Sequence, residues 1–349
     1  MVIVANKMRI GVVILNYNSA KDMMKCIEFL QKQKLNEELH VIVVDNSLPD
    51  YRLQITDYTQ LSTTEKQSHL CQSVEQCSKQ GLERAYQKKE KREYRQAGLD
   101  YAEHSEKNQS DLCYLWEGKQ FELIRAEENR GYSAGNNIGL RRATEIGAKY
   151  ALVINPDMEL TDVNYIAKLV EVMERDEDVV VAATDIVTPE GIHQNPMLPD
   201  GDWHGAFGWV KEIFSRKKPV DTYSFIDNYK ESHECAKVSG CCLMLRMSFV
   251  EEIGYFDEYP FLYCEEAILA RQVEMAGKKM YYLADTQAVH RHVKSEKGDP
   301  VKRFKHWERS RIYFYRRYSK DSWWGRWISI LSMRLYVLVF TMYKRVNGK

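Results

Sequence analysis

Residues 152–157 read Leu-Val-Ile-Asn-Pro-Asp, an apolar run that ends abruptly in a polar turn closed by a carboxylate. Such a run is typical of a buried strand in a parallel sheet. Open α/β sheets bind ligands at the carboxyl ends of their strands, so Asp157 is well placed to hold a metal ion that carries phosphates. A carboxylate that only caps the turn is the plainer interpretation.

Two earlier segments repeat this pattern. The run Arg9-Ile-Gly-Val-Val-Ile-Leu-Asn-Tyr-Asn18 ends in amides, and Leu39-His-Val-Ile-Val-Val-Asp45 ends in a carboxylate. Strands of this kind would finish at one edge of a shared sheet, where nucleotides bind in α/β folds. The sequence therefore predicts an α/β fold with a nucleotide site that includes Asn16, Asn18 and Asp45.

A glycine-rich segment lies between the second and third of these strands. It reads Glu128-Asn-Arg-Gly-Tyr-Ser-Ala-Gly-Asn-Asn-Ile-Gly139 and precedes a helical pattern. Backbone N–H groups at such a helix start can bind a diphosphate or a ribose. The glycine spacing differs from G-x-G-x-x-G, so a nicotinamide cofactor is not expected. An ordinary helix start is the alternative.

Taken in order, the motifs of this chain resemble the family 2 inverting glycosyltransferases of the GT-A fold, particularly their rhamnosyltransferase-like bacterial branch. Besides the four segments above, the resemblance rests on Val238-Ser-Gly-Cys-Cys-Leu-Met-Leu-Arg246, Gly254-Tyr-Phe-Asp-Glu258, Tyr263-Cys-Glu-Glu266 and Val289-His-Arg-His-Val-Lys-Ser295. It implies a Rossmann-like nucleotide-diphospho-sugar transferase over residues 1–301, with a mostly parallel central sheet flanked by helices.

The resemblance also implies a donor site and a metal. Asp45 would contact the base or ribose, and the same pocket would be lined by Asn129, Gly131 and Asn136. Asp157 would be the metal-binding member of the family's Asp-x-Asp motif. Asn155 stands where the first Asp often occurs, which leaves one carboxylate fewer for the cation, and it would bind the donor. We therefore expect a weakly held Mg²⁺ or Mn²⁺ that relies on donor phosphates.

Glu265 and Glu266 stand where similar enzymes carry Glu-Asp, whose second residue is the catalytic base. Inverting transfer needs a carboxylate that takes the proton of the acceptor hydroxyl, and Glu266 is assigned that role. Ile268 replaces a further Asp of the family, which puts the neighbouring contacts in doubt. The alternative is a pair of acids that favour the N-terminal end of a helix dipole.

His290 and His292 alternate along a predicted strand end, so both imidazoles would lie on one face. Similar enzymes place a histidine there near the donor phosphates or the metal, and His290 is the better candidate. Lys294 and Ser295 would add phosphate contacts. A structural zinc site is not expected, because no cluster of Cys or His at ligand spacing accompanies the pair.

The charge of the chain is unevenly distributed. Its 349 residues, 44% of them hydrophobic, carry a formal net charge of +0, but residues 302–349 carry +11 and the remainder −11. This tail contains Trp323-Trp324 and an apolar run over 328–343 that is short for a membrane span and contains Arg334. It predicts an amphipathic helix in the headgroup region of an anionic leaflet. A helix packed on the catalytic domain is the alternative, and nucleic acid is not an expected partner.

Two variable regions depart from the resemblance. Residues 51–118 are rich in Gln, Glu and Lys and predict a helical surface insertion, with self-association into a homo-oligomer as one use. Residues 195–234 contain Trp203 and Trp209, which would either cover an acceptor sugar or anchor the loop. No signal peptide is evident, and the 8 Cys follow no paired framework, so free thiols in the cytoplasm are expected.

Together these features predict an inverting, metal-dependent glycosyltransferase on the inner face of the plasma membrane. Its donor would be a UDP- or dTDP-sugar, with dTDP-rhamnose included, and its acceptor a lipid-linked glycan or polysaccharide of the bacterial cell surface. A sugar nucleotidyltransferase would also use a parallel sheet and a metal-binding Asp. A non-catalytic membrane scaffold for glycan assembly is the alternative from outside the enzyme class.

Overall fold

The fold is built on a ten-stranded central sheet. The computed structural model describes residues 7–47, 113–116, 119–210, 226–291 and 300–347. The strands are β1 (Arg9–Asn16), β2 (Glu38–Asp45), β3 (Cys113–Trp116), β4 (Lys119–Arg125), β5 (Tyr150–Ile154), β6 (Met158–Glu159), β7 (Val179–Val187), β8 (His233–Cys235), β9 (Cys242–Arg246) and β10 (Lys279–His290).

Helices cover the sheet and continue beyond it. They are α1 (Ala20–Gln31), α2 (Tyr132–Glu145), α3 (Tyr165–Arg175), α4 (Met247–Glu252), α5 (Glu265–Met275), α6 (Pro300–Arg317) and α7 (Trp323–Asn347), with a 3₁₀ turn at Trp203–Gly205. The predicted α/β fold, a central sheet flanked by helices, is confirmed. Among the residues described, no helix combines the length and the apolar character needed to cross a bilayer.

The strand order is β3-β4-β2-β1-β5-β9-β7-β10-β6, and β8 pairs with β10. Neighbours within β4-β2-β1-β5 are parallel, as are β7 and β10. By contrast β9 runs antiparallel between β5 and β7, and β3, β6 and β8 also pair antiparallel. The sheet is thus mixed where a mostly parallel one was expected, because a strand buried on both faces shows the same apolar pattern in either direction.

Burial of the central strands on both faces fixes where they end. On β1, Ile10, Val12 and Ile14 pack into the core beneath α1 and α3, whereas Val13 packs with Leu140 of α2 on the opposite face. The strand is therefore apolar throughout, and its first buried polar residue is Asn16. Polar side chains at such strand ends lie at the sheet edge that binds ligands in α/β folds.

Helices α6 and α7 form an antiparallel pair, here called the C-terminal hairpin. Within it, Phe304 stacks on Phe340 with ring centroids 4.3 Å apart. Trp209 also packs on α7, because its ring stacks on Tyr336 and its Nε1 donates to Ser332 Oγ at 2.8 Å. The tail therefore includes a packed helix, as one interpretation of the sequence had it, and Trp209 anchors its loop to that helix.

Most of the predicted insertion at residues 51–118 lies outside the described residues, as do His292, Lys294 and Ser295. Its helical interpretation is wrong at the end, because Cys113–Trp116 forms β3 and pairs antiparallel with β4. The aromatic residues of this short stretch favour a strand once an exposed sheet edge is available. Cys26, Cys235, Cys241, Cys242 and Cys264 are free, as expected.

Candidate functional site

The ends of β1 and β2 meet in a buried polar network. The two strands pair in parallel, with Asn16 in register with Asp45. Asn16 Nδ2 donates to Asp45 Oδ1 at 3.0 Å and to Ser47 Oγ at 3.1 Å, and both Asn16 and Asp45 are fully buried. The backbone N–H of Asn18 also donates to Ser47 Oγ, at 2.9 Å. The predicted donor residues Asn16, Asn18 and Asp45 are thus brought together. Ser47, which links them, was not among the predicted site residues.

A second polar group lies beside the first. Asn129 Oδ1 accepts hydrogen bonds from Asn46 Nδ2 at 2.9 Å and from the Gly131 backbone N–H at 3.0 Å. This pairing ties the residue after β2 to the start of α2. Asn136, buried within α2, donates from Nδ2 to the Tyr132 carbonyl at 3.0 Å. The donor-binding roles of Asn129, Gly131 and Asn136 remain predictions.

Gly131 is required at its position for two reasons. Its φ is +100°, and a Cβ there would lie 2.1 Å from the Phe261 carbonyl oxygen. Only glycine adopts that backbone conformation without strain. The close approach lets the Tyr132 N–H donate to the same carbonyl at 3.0 Å, which joins the donor side of the site to the loop before α5.

We expect Gly131→Ala to destabilise the fold by at least about 2 kcal/mol, because it adds strain and a clash with backbone. Chemical denaturation would measure this loss. The matched control is Gly191→Ala, which also has a positive φ, of +80°, but has no atom within 4 Å of the added Cβ. Equal losses for the two variants would mean that the approach to Phe261 contributes nothing.

Asp157 follows β5 and faces His290 at the end of β10. Asp157 Oδ2 lies 3.3 Å from His290 Nε2, and His290 Nδ1 lies 2.8 Å from Gln194 Oε1. Burial lowers the pKa of His290, but interactions with Asp157 and Cys241 outweigh it and raise that pKa to about 10. Asn155 contributes its backbone N–H, which donates to the Cys241 carbonyl at 2.7 Å. The two predicted metal residues are therefore adjacent.

The carboxylate pair begins α5, as the sequence indicated. The preceding residues, Tyr263 and Cys264, both have positive φ, of 74° and 70°. Strained backbone of this kind persists where the surrounding structure holds it, often at functional sites. Burial and the neighbouring charge of Glu266 raise the pKa of Glu265 to about 8. Glu265 is therefore mainly protonated at neutral pH.

Glu266 is linked to the donor side through Gly240. Its Oε1 lies 3.4 Å from the Gly240 N–H, and Tyr132 Oη donates to the Gly240 carbonyl at 2.5 Å. A Cβ on Gly240 would lie 3.2 Å from that hydroxyl and 3.4 Å from Glu266 Oε1. Tyr132 and Gly240 were not predicted as site residues, although both lie inside quoted motifs. They connect the glycine-rich segment to the carboxylate pair.

The raised pKa of Glu265 predicts a pH-dependent stability. The folded chain binds this proton more tightly than the unfolded chain, in which the pKa of the carboxyl lies near its ordinary value of 4.5. The stabilisation is complete below about pH 4.5 and is lost as the pH rises through about 8. We expect Glu265→Gln to raise the free energy of unfolding at pH 9 by at least about 1 kcal/mol, which corresponds to a melting temperature higher by about 2–4 °C or more. At pH 4.5 we expect no gain.

Thermal melts at both pH values would measure this difference, with the exposed Glu252→Gln as the control for loss of a carboxyl. A gain that is the same at pH 4.5 and pH 9 would contradict the assignment of the raised pKa to Glu265.

The face of α5 that points away from Glu265 and Glu266 borders a cavity of about 430 Å³. Ala267, Ala270 and Arg271 line it from the helix, and Asp200 lines it from the loop after residue 195. Burial raises the pKa of Asp200, but ion pairs with Arg311 and Lys237 lower it on balance. None of the predicted site residues lines this cavity, so it is separate from the carboxylate pair.

Comparisons with known proteins point to glycosyltransferases. The family model for glycosyl transferase family 2 matches residues 102–254. A low-salt glycan biosynthesis hexosyltransferase of Haloferax volcanii is 31% identical over 143 residues, 40% of this chain and 41% of that protein. The N-acetylglucosaminyl-diphospho-decaprenol L-rhamnosyltransferase of Mycobacterium tuberculosis is 24% identical over 243 residues, 64% of this chain and 77% of that protein.

The fold has solved counterparts as well. The crystal structure of S. aureus TarS 1-349 in complex with UDP has a TM-score of 0.50 at 13% identity, covering 98% of this chain and 76% of that chain. This likeness concerns the fold. The chain spans about two fifths of the length of the H. volcanii hexosyltransferase. Asp157 lies within the matched family model, and the carboxylate pair lies beyond it.

Proposed function

We propose that this chain, whose residues 102–254 match the glycosyl transferase family 2 model, transfers a sugar from a nucleoside diphosphate to a glycan hydroxyl with inversion at the anomeric carbon. One observation carries the proposal. The carboxylate pair at the start of α5 is tied through Gly240 and Tyr132 to the polar strand ends of the donor side. These contacts would hold the proposed acceptor base and the proposed nucleotide pocket in a fixed relative position.

The donor would bind at the ends of β1 and β2. The buried Asn16 and Asp45 network offers a fixed carboxylate beside amides, which suits the hydroxyls of a ribose or the polar edge of a base. The TarS structure contains UDP, which supports a nucleotide as part of the donor. We propose a UDP- or dTDP-sugar, with dTDP-rhamnose favoured by the name of the M. tuberculosis relative.

The adjacent Asp157 and His290 would hold a divalent metal, Mg²⁺ or Mn²⁺. Once the His290 imidazole has released its proton, its Nε2 and the Asp157 carboxylate oxygen, 3.3 Å apart, are within reach of one ion. In the described residues, no group of three or more His, Cys, Asp or Glu side chains forms a complete metal site. This arrangement fits a cation that shares its coordination with donor phosphates. When bound, the metal would neutralise charge on the leaving diphosphate.

The residues of the chain would then perform a single displacement. The acceptor oxygen attacks the anomeric carbon as the bond from that carbon to the diphosphate oxygen breaks. Glu266 takes the acceptor proton, and the nucleoside diphosphate leaves with the bonding electron pair. The neutral carboxyl of Glu265 adds no second negative charge beside the base.

We propose that the acceptor is a lipid-linked or polysaccharide glycan of the cell surface. The M. tuberculosis relative is named for a decaprenol-linked acceptor, and the H. volcanii relative for glycan biosynthesis. These names support a glycan acceptor in general. The acceptor sugar and its linkage would be identified by a product assay.

A product assay tests the proposal. We expect the purified chain, given Mn²⁺ and an acceptor mixture, to release a nucleoside diphosphate from one nucleotide sugar. Candidate donors would first be ranked by thermal shift, because a ligand at a hundred times its dissociation constant adds about 2.7 kcal/mol of stability. Release of inorganic diphosphate from a nucleoside triphosphate would instead identify a nucleotidyltransferase. Donor binding without any turnover across the acceptor series would favour the scaffold alternative.

A further inference from the structure

One face of α7 is apolar and exposed. The residues on it are Trp324, Trp327, Leu331, Leu335, Leu338 and Met342. At about 100° per residue they fall within an arc of roughly 80°, so they form a continuous stripe along the helix. We call this set the apolar stripe. Trp324 is 64% exposed and Leu338 49%, which is unusual for large apolar side chains in such a row.

The orientation of α7 is fixed by its other face. Ile330, Met333 and Val337 are buried there. Ser332 Oγ donates to the Ala206 carbonyl at 2.6 Å, and Trp209 Nε1 donates to Ser332 Oγ. The exposed stripe is therefore held outward by specific packing on the opposite side.

Helix α6 presents a row of exposed cations. They are Lys302, Lys305, Arg309 and Arg316. At about 100° per residue this row spans roughly 60° of the helix. We call it the basic row. Spacing of this kind places all four charges on one side of α6.

The basic row adjoins the apolar stripe. Glu308 of α6 is partly buried, which raises its pKa, and the nearby charges of Arg334 and Lys305 oppose that shift. Arg334 is exposed on α7 between Leu331 and Leu335, and Lys305 belongs to the basic row. Phe304 of α6 stacks on Phe340 of α7, and Trp307 of α6 meets Tyr336 of α7 edge-on, so the two helices lie side by side. The basic row and the apolar stripe, both within electrostatic reach of Glu308, therefore form one amphipathic side of the C-terminal hairpin.

We propose that this side of the hairpin docks on an anionic lipid bilayer. The apolar stripe would lie at the boundary between headgroups and acyl chains, and the basic row would contact lipid phosphates. The distribution of charge along the chain favours an anionic bilayer as the partner. Residues 302–349 carry a net charge of +11 and the rest of the chain −11, so an anionic surface attracts the hairpin and repels the remainder. The proposal does not depend on the sugar transfer reaction.

The test uses the full-length chain and vesicle flotation. Vesicles contain either equal parts of phosphatidylglycerol and phosphatidylcholine or phosphatidylcholine alone. We expect strong binding to the first, weak binding to the second, and weaker binding as salt rises, since screening acts within about 8 Å at physiological ionic strength. If the chain does not bind the anionic vesicles, the proposal is overturned.

Matched variants separate the two contributions. Leu338→Glu should weaken vesicle binding at least about tenfold, whereas the equally drastic Met275→Glu, on the exposed end of α5, should leave it unchanged. Arg309→Glu should weaken binding at least about fivefold and flatten its salt dependence, with Lys34→Glu as the control. Circular dichroism would establish that each variant is folded.

Two results would count against the bilayer. One is equal binding by Leu338→Glu and Met275→Glu. The other is a dimer in sedimentation velocity that Leu338→Glu dissociates, in a chain that does not float with vesicles. That second result would assign the apolar stripe to an interface between copies.

Discussion

Glu266→Gln is expected to lower turnover at least about a hundredfold while donor affinity changes little. The amide keeps the size of the side chain and its place in the first turn of α5, but it cannot accept the acceptor proton. The approach of Glu266 Oε1 to the Gly240 N–H at 3.4 Å does not require a charge, so the local fold should be preserved. Steady-state turnover and calorimetric donor binding would measure the two quantities separately.

Glu265→Gln is the matched control for this experiment. Because Glu265 is mainly protonated at neutral pH, its amide replacement is close to isosteric with the state already present. We expect it to retain turnover within about tenfold of the unmodified chain. If Glu265→Gln instead removes activity and Glu266→Gln does not, the two carboxylates exchange roles.

Asp157→Asn should abolish the gain in donor affinity that Mn²⁺ provides. It removes the carboxylate assigned to the cation and leaves only an amide oxygen and His290, a weaker donor set for a hard metal ion. Calorimetry with Mn²⁺ and with EDTA would measure the gain directly. Asp162→Asn is the control, since Asp162 lies a few residues further on and pairs with Lys168 at 2.9 Å.

The metal assignment has its own contrary outcome. If the unmodified chain binds donor equally with Mn²⁺ and with EDTA, the site works without a metal. The pairing of Asp157 with His290 would then have a purely electrostatic role.

The sequence located the strand ends well, because the change from apolar to polar residues marks where a buried strand leaves the core. Asn16 and Asp45 were predicted at one sheet edge, and the structure places them in register and hydrogen bonded. The start of α5 at Glu265 followed from the motif and the acids in its first turn. Local patterns sufficed for these features.

Features that depend on tertiary approach were not predictable in the same way. The direction of β9 leaves no trace in an apolar run, and the link from Tyr132 through Gly240 to Glu266 joins residues more than a hundred positions apart. A glycine in a motif indicates that there is no room for a side chain, but it does not show which neighbouring atoms exclude one. The sequence offered two interpretations of the tail, and α7 has both a packed and an exposed face.

The hydrogen bonds that α6 and Tyr318, the residue after it, make to the loop before α5 bear on protein engineering. Tyr313 and Tyr318 both donate to Asp257 Oδ2, at 2.7 and 2.6 Å, and Ser310 Oγ donates to the Leu262 carbonyl at 2.8 Å. A version shortened to residues 1–301 would lose all three restraints on the loop that leads to Glu265. A minimal enzyme that keeps all three hydrogen bonds should therefore end after Tyr318, in the turn at residues 318–322 that separates the two helices.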